Sequence, residues 1–131
     1  MPGVAYLDSS ALVKLVAAEA ESWMLGDYVR DRQVVTSDIA RVEFPRSVRR
    51  LELGDAAVTR AHEVLRKITL LKLERTVLTR AAELGPVELR SLDAIHLASA
   101  LSVSELEAFV TYDRRLATAA ETAGLGVIAP A

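Results

Sequence analysis

Cysteine is absent from the 131 residues, and both aromatic content and net charge are low. The lack of cysteine excludes disulfides and thiolate metal sites, and it fits a reducing compartment. Aromatic residues make up 5%, which argues against stacking of bases on aromatic side chains as the main way to hold nucleic acid. The net charge of −2 gives no general attraction for a polyanion, so any contact with nucleic acid must come from local basic patches.

Long apolar runs are also missing. None approaches the ~18 residues that a membrane-spanning helix needs. The amino terminus has no basic segment followed by the apolar core of a secretion signal. We therefore expect a cytoplasmic protein with no membrane partner.

The sequence does contain enough apolar residues for a core. Hydrophobic residues make up 51% and charged residues 26%, which predicts one globular domain over residues 1–131. Short apolar segments alternate with helical patterns, which predicts an α/β protein: a three-layer α/β/α sandwich with a central, mostly parallel sheet. The predicted strands are residues 1–7, 34–36, 68–73, 108–111 and 127–128. The predicted helices are residues 11–19, 22–29, 55–67, 76–84, 91–101 and 114–123, with another that follows Ser37 and Asp38 and ends at Leu53.

Four acidic residues occur where predicted strands give way to helices: Asp8, Glu43, Asp93 and Asp113. Asp8 and Asp113 each end a strand, whereas Glu43 and Asp93 lie in the first turns of helices. An open parallel sheet would gather them, because its ligand crevice lies at the carboxyl ends of its strands. Carboxylates brought together repel one another, and a divalent cation with oxygen ligands relieves that repulsion. The four acids therefore predict a metal-dependent enzyme.

Helix capping is the alternative explanation for each acid, because Asp is a favoured N-cap and negative charge suits the first turn of a helix. Two serines follow Asp8, and Ser91 precedes Asp93, so the sequence offers a separate cap at both places. This favours a functional role for Asp8 and Asp93. Asp113 has no such neighbour and is, taken alone, most simply a cap.

Three motifs contain three of the acids. They are LDSSALVKL at residues 7–15, SLDAIHLASA at residues 91–100 and VTYDRRL at residues 110–116. Together they resemble the signatures of PIN-domain proteins, specifically the VapC-type toxins of bacterial and archaeal toxin–antitoxin pairs. Glu43 falls where that family places its helical glutamate. The motifs follow the family's order along the full chain, so the resemblance implies a PIN-like fold.

The resemblance implies a ribonuclease that depends on Mg²⁺ or Mn²⁺ and hydrolyses RNA phosphodiester bonds as the toxin of such a pair. Asp8 and Asp93 would be the main direct metal ligands. Asp113 would bind the metal directly or through water, and Glu43 would orient the attacking water or a second ion. The resemblance further implies a homodimer and a VapB-type antitoxin whose segment covers the acidic groove.

Polar side chains near the four acids lead to further hypotheses. The hydroxyls of Ser9 and Thr111 lie near the same crevice, where they either hydrogen-bond the carboxylates or serve a purely structural role. Arg46 and Arg114 are candidates for contacts with RNA phosphates, and the alternative is a solvated helix face with local ion pairs. His96 lies three residues after Asp93, so the two could form a metal or acid–base pair. Its apolar neighbours favour a partly buried structural histidine, and the resemblance implies no ligand at this position.

Pro45 follows Glu43 within the same predicted helix. Proline lacks a backbone donor and disfavours helical geometry at the residue before it. If the helix begins near Ile39, it should kink at the proline. If it begins near Phe44, Glu43 lies in a loop.

Two other functions are compatible with the residues. A PIN-like domain that does not cut could bind RNA or protein as a scaffold. A phosphotransfer domain would also carry an aspartate after its first strand, although this function leaves Glu43 and Asp93 unexplained.

Overall fold

The computed structural model describes residues 3–131, and its central sheet has five strands that are all parallel. The strands are β1 (Val4–Leu7), β2 (Gln33–Ser37), β3 (Thr69–Leu71), β4 (Ala108–Val110) and β5 (Val127–Ile128). Their order across the sheet is β3-β2-β1-β4-β5, so β1 lies in the centre between β2 and β4. Residues 1–2 of the first predicted strand lie outside the described residues.

Seven helices connect these strands within residues 3–131. They are α1 (Ser9–Lys14), α2 (Ser22–Val29), α3 (Ala40–Arg50), α4 (Asp55–Lys67), α5 (Arg75–Glu83), α6 (Ser91–Leu101) and α7 (Arg114–Thr122). None of the helices in this part of the chain is long and apolar enough to cross a membrane.

The first helix is shorter than its apolar pattern predicts. It ends at Lys14, not at residue 19, and Leu15 forms its C-cap. Val16 and Ala17 nevertheless remain buried in the turn that follows. The pattern of apolar residues therefore reports burial here, and not the length of the helix.

Alternating side chains of β1 face two different cores. Ala5 and Leu7 lie in the cluster that includes residues of α1, α2, α3 and α4. Tyr6 points to the opposite face, where it packs with residues of α6 and α7. This alternation follows from the period of two along a strand, and helices on both faces make the predicted three-layer α/β/α architecture correct.

The carboxyl ends of β1 and β4 meet at one edge of the sheet. Leu7 is paired with Val110 across the two strands, so the next residues, Asp8 and Thr111, also lie side by side. The backbone N–H of Asp8 donates to the carbonyl oxygen of Val110 over 3.2 Å. This is the edge where an open parallel sheet binds ligands.

Helix α3 runs through its proline. It begins at Ala40, with Ile39 as the N-cap, and continues past Pro45 to Arg50. Of the two sequence-based alternatives, the early start is therefore correct, and Glu43 lies in the first turn of the helix. Pro45 is buried against the core.

Candidate active site

Asp8 is both the N-cap of α1 and a buried carboxylate. Its Oδ1 accepts hydrogen bonds from the backbone N–H of Ala11 over 3.0 Å and from the hydroxyl of Ser10 over 2.7 Å. The prediction that Ser9 or Ser10 caps this helix is wrong, since Asp8 does so itself. Capping therefore gives Asp8 a structural role, and any catalytic role has to be argued from its surroundings.

Burial makes the charge of Asp8 costly. Asp8 is 3% exposed, and this burial raises the pKa of its carboxyl group. Hydrogen bonds from Thr111, Ser10 and Ala11 lower that pKa in part. A carboxylate has about four acceptor positions. Three of them are filled by donors from residues 3–131, two on Oδ1 and one on Oδ2. The remaining position, on Oδ2, accepts no hydrogen bond from residues 3–131.

The hydroxyl of Thr111 connects two of the predicted acids. It donates to Oδ2 of Asp8 over 2.6 Å and accepts from the backbone N–H of Asp113 over 3.1 Å. Thr111 is 1% exposed, so this link is shielded from water. Ser9 lines the nearby groove, whereas Ser10 is the serine that donates to Asp8 and also accepts from the backbone N–H of Tyr112 over 2.9 Å.

Asp113 caps α7. Its Oδ1 accepts from the backbone N–H groups of Arg115 over 2.9 Å and of Leu116 over 3.2 Å. This agrees with the capping role predicted from sequence. The same side chain lines the groove described below, so capping holds it in place beside the other acids.

Asp93 lies in the first turn of α6 but does not cap it. The N-cap of α6 is Arg90, which makes no side-chain capping hydrogen bond, so the prediction that Ser91 caps the helix is wrong. Partial burial raises the pKa of Asp93, and the negative charges of Asp113, Asp8 and Glu43 raise it further. The other three acids thus lie close enough to disfavour the ionised form of Asp93.

Glu43 is held by a histidine that sequence reasoning treated as structural. Nε2 of His96 lies 2.7 Å from Oε1 of Glu43, and its Nδ1 lies 2.7 Å from the hydroxyl of Tyr6. His96 is fully buried at 1% exposure and not partly buried as predicted. The available sequence signal was the apolar surroundings of His96, which require a buried imidazole to find polar partners. Those partners lie 53 and 90 positions away in the chain.

An open groove of about 720 Å³ brings acidic and basic side chains together. Glu43, Asp93 and Asp113 contribute the acids that were predicted from sequence. Arg114 lines the same groove, whereas Arg46 lines a smaller adjoining depression that also includes Glu43. Arg50 and Arg115 also line the groove. Both belong to the arginine clusters that follow Glu43 and Asp113 in the sequence, although only Arg46 and Arg114 were expected to contact phosphate. Arg90 was missed from sequence.

The donor set of the groove suits a hard divalent cation. Its candidate ligands are carboxylate oxygens, which Mg²⁺ and Mn²⁺ prefer. Within residues 3–131, no three acidic or histidine side chains come close enough together to form a complete metal site. Mg²⁺ is commonly held by one or two carboxylates, with waters and substrate phosphate as the other ligands. The residues present are compatible with that kind of coordination.

Comparison with known proteins places these features in a family. The family model for the PIN domain matches residues 5–122. The chain is 45% identical to ribonuclease VapC46 of Mycobacterium tuberculosis over 127 residues, covering 95% of this chain and 96% of the relative. It is 40% identical to ribonuclease VapC35 of the same organism over 131 residues, with the same coverage of both chains.

Solved structures share the fold at low sequence identity. One is VapC20 of M. tuberculosis, a toxin that cleaves the sarcin-ricin loop, with a TM-score of 0.76, 17% identity and coverage of 96% of this chain and 99% of that chain. Another is VapBC2 of Rickettsia felis bound to a promoter DNA fragment, with a TM-score of 0.72, 11% identity and coverage of 98% and 99%. These two likenesses confirm the PIN-like fold. The family match and the identities of 40–45% confirm the resemblance drawn from the three motifs: the chain belongs to the PIN domain family and, within it, to the VapC group.

Proposed function

We propose that this chain is a divalent-metal-dependent endoribonuclease that acts as the toxin of a toxin–antitoxin pair. The observation that carries the proposal is the groove that gathers Glu43, Asp93 and Asp113, with Asp8 joined to it by the Thr111 hydroxyl, which also contacts the backbone of Asp113. The relatives named ribonuclease support the choice of RNA as the substrate. Mg²⁺ or Mn²⁺ is the proposed cofactor, because all candidate ligands are oxygen atoms.

The four acids have different proposed roles. Asp93 and the free acceptor position on Asp8 Oδ2 would hold the cation, and Asp113 would bind it directly or through water. Glu43 would orient the attacking water. When bound, the cation would lower the pKa of a water molecule and stabilise the charge that develops on the phosphate. Thr111 would keep Asp8 in position through its hydrogen bond to Oδ2.

Arginines of the groove are proposed to bind the RNA backbone. Arg114 lines the groove beside Asp113, together with Arg50, Arg90 and Arg115. Guanidinium groups match phosphate geometry, and they would offset the negative charge of the acids as the RNA approaches. We propose a weaker, peripheral phosphate contact for Arg46, which lies in the adjoining depression.

Protein partners are proposed from the relatives. The structural neighbour from R. felis is a VapBC assembly, and another neighbour is a toxin–antitoxin complex of Klebsiella pneumoniae with a TM-score of 0.65. We propose a VapB-type antitoxin whose segment covers the acidic groove, and a homodimer of this chain. An RNA substrate and an antitoxin would both meet the chain in the cytoplasm, which we propose as its location.

The test is an RNA cleavage assay with the purified protein in Mn²⁺, in Mg²⁺ and in EDTA. We expect cleavage with either metal and none in EDTA. D8N and D93N should each abolish cleavage, because both remove the negative charge that holds the cation. D55N is the matched control, since Asp55 is an exposed first-turn acid of α4 outside the groove.

Circular dichroism should give the same fold for D8N, D93N and D55N. Full cleavage by both groove variants, or cleavage that persists in EDTA, would contradict the proposal. Binding of RNA by the wild-type protein without any cleavage would favour the scaffold function instead.

A further inference from the structure

A buried chain of hydrogen bonds runs from the sheet to the groove. The hydroxyl of Tyr6 on β1 contacts Nδ1 of His96 on α6, and Nε2 of the same ring contacts Oε1 of Glu43 on α3. Tyr6 and His96 are 0% and 1% exposed, whereas the side chain of Glu43 is 14% exposed. This series of hydrogen bonds therefore begins in the core and ends at the groove.

The chemistry of Tyr6 and Glu43, the two outer residues, sets the direction of these hydrogen bonds. An ionised Glu43 can only accept, so Nε2 of His96 must carry the proton. In a neutral imidazole the other nitrogen, Nδ1, is then an acceptor, and the hydroxyl of Tyr6, whose pKa burial raises, donates to it. The stacking of Tyr6 on Phe109, at 5.3 Å between ring centroids, and the edge contact of Tyr6 with His96 at 5.8 Å fix both rings in the core.

We propose that His96 is a positioning residue for Glu43. As the Nε2–H tautomer set by Tyr6, it holds Oε1 of Glu43 and directs the other carboxylate oxygen to the groove. This inference rests on the proposed function, because it assigns the orientation of the glutamate that would orient the attacking water. A buried histidine needs polar partners in any case, but Nε2 of His96 takes as its partner an acid that lines the groove.

Two substitutions of His96 separate these roles. The side-chain amide of H96N can replace the Nδ1 side of the ring but cannot reach Glu43, whereas the longer amide of H96Q can replace the Nε2–H donor. Both variants lose the ring, so they share its packing loss. We expect kcat of H96N to fall about 10- to 100-fold with a smaller change in KM, and H96Q to recover most of that loss.

A double-substitution cycle tests whether His96 acts through Glu43. In the E43A background, H96N should lower kcat by no more than about twofold, because the acceptor for Nε2 is already gone. Equal kcat values for H96N and H96Q, or a full loss from H96N in the E43A background, would overturn the inference. Urea denaturation of both variants shows that each is folded in the assay.

Nitrogen NMR of the intact wild-type protein tests the inference without any activity. His96 should show the Nε2–H tautomer, and its Nε2 resonance should shift in E43Q but not in D113N. The Nδ1–H tautomer, or an Nε2 resonance that E43Q does not move, would overturn the inference. A wild-type protein that cleaves no RNA would overturn the proposed function alone, and the nitrogen spectrum would still decide the His96 contact.

Discussion

The buried and partly buried carboxylates Asp8 and Asp93 lower the stability of the fold when they are ionised, because burial raises the pKa of each. Asp8 offsets that cost with donors from Ser10, Ala11 and Thr111, which are aimed at both of its oxygens. The pKa of Asp93, in contrast, is raised by burial and by the surrounding acids. A bound cation would relieve that repulsion.

The first prediction concerns the stability of D93N without metal. The folded-state pKa of Asp93 lies above its unfolded value, so the ionised group destabilises the fold at neutral pH. That cost disappears as the pH falls below the ordinary Asp value of about 3.9, where both states are protonated. We expect D93N to be more stable than wild type at pH 7, by at most about 1 kcal/mol because solvent screens this half-exposed group.

Urea denaturation in EDTA measures this difference across the pH range. D55N is again the control, because Asp55 lies in the first turn of α4, where the helix dipole stabilises a negative charge. Its stability should therefore fall slightly, opposite in sign to that of D93N. A D93N protein no more stable than wild type at neutral pH would mean that the acids do not destabilise one another.

Sequence reasoning found the four acids but assigned two of the caps wrongly. Asp8, Ser9 and Ser10 are all polar and consecutive, and nothing in their order shows which one accepts from the N–H of Ala11. The answer depends on the backbone path out of β1. His96 was underrated for a related reason, since its partners Tyr6 and Glu43 reach it only through the tertiary fold.

At the scale of elements, the ends of helices hold the site together. Helix α7 begins at the capping side chain of Asp113, α1 begins at Asp8, and α6 presents Asp93 in its first turn. Helix α3 presents Glu43 in its first turn as well. The positive ends of four helices thus lie next to the acids, and this favours their ionised forms.

The second prediction separates capping from chemistry at Asp113. D113N retains an oxygen that can accept from Arg115 and Leu116, so its stability should stay within a few tenths of a kcal/mol of wild type. D113A loses the cap and should cost about 1 kcal/mol. Both variants lose the charge, so RNA cleavage should fall to a similar extent in both.

Urea unfolding gives the two stabilities and a cleavage assay gives the two activities. If D113N destabilised the protein as much as D113A, the cap would depend on charge and not on the acceptor oxygen. If D113N cleaved RNA as well as wild type, Asp113 would act only as a cap.

Most boundaries of helices and strands were predictable, because each apolar segment is short and its apolar residues follow either helix or strand spacing. Helices α2, α4 and α6 begin and end at the residues predicted from their patterns. The start of α3 was ambiguous because Pro45 opposes helix formation locally. Burial of Phe44, Pro45 and Val48 against the core outweighs that local preference.

At the scale of the whole molecule, the alternation of strands and helices predicted a parallel sheet, whereas the order of its strands did not follow from sequence. The pattern does not show that β4 joins β1 on the side opposite β2. That arrangement depends on how the later helices pack against the sheet, with Leu97 of α6 and Leu116 of α7 in one cluster with Tyr6. It also determines which acids meet.

The third prediction is that metal stabilises the entire fold. A cation that binds only the native protein adds about 2.7 kcal/mol to the free energy of unfolding at a concentration 100 times its Kd. Mn²⁺ should therefore raise the Tm of the wild-type protein, and the rise should shrink in D93N. Thermal unfolding at matched ionic strength, with potassium chloride in place of the manganese salt, measures the effect. Equal shifts in wild type and D93N would place the metal elsewhere.

Strand β1, which is followed directly by Asp8, lies between β2 and β4. The ribosome synthesises β2 soon after β1, whereas β4 follows much later. The donor Thr111 follows Asp8 by 103 positions, and the cap of α7 comes later still. A nascent chain therefore exposes Asp8 long before the residues that hold it and complete the groove have been made. Long-range parallel pairing of this kind also forms slowly. The groove therefore cannot be complete until Thr111 and Asp113 have been synthesised and have packed beside Asp8.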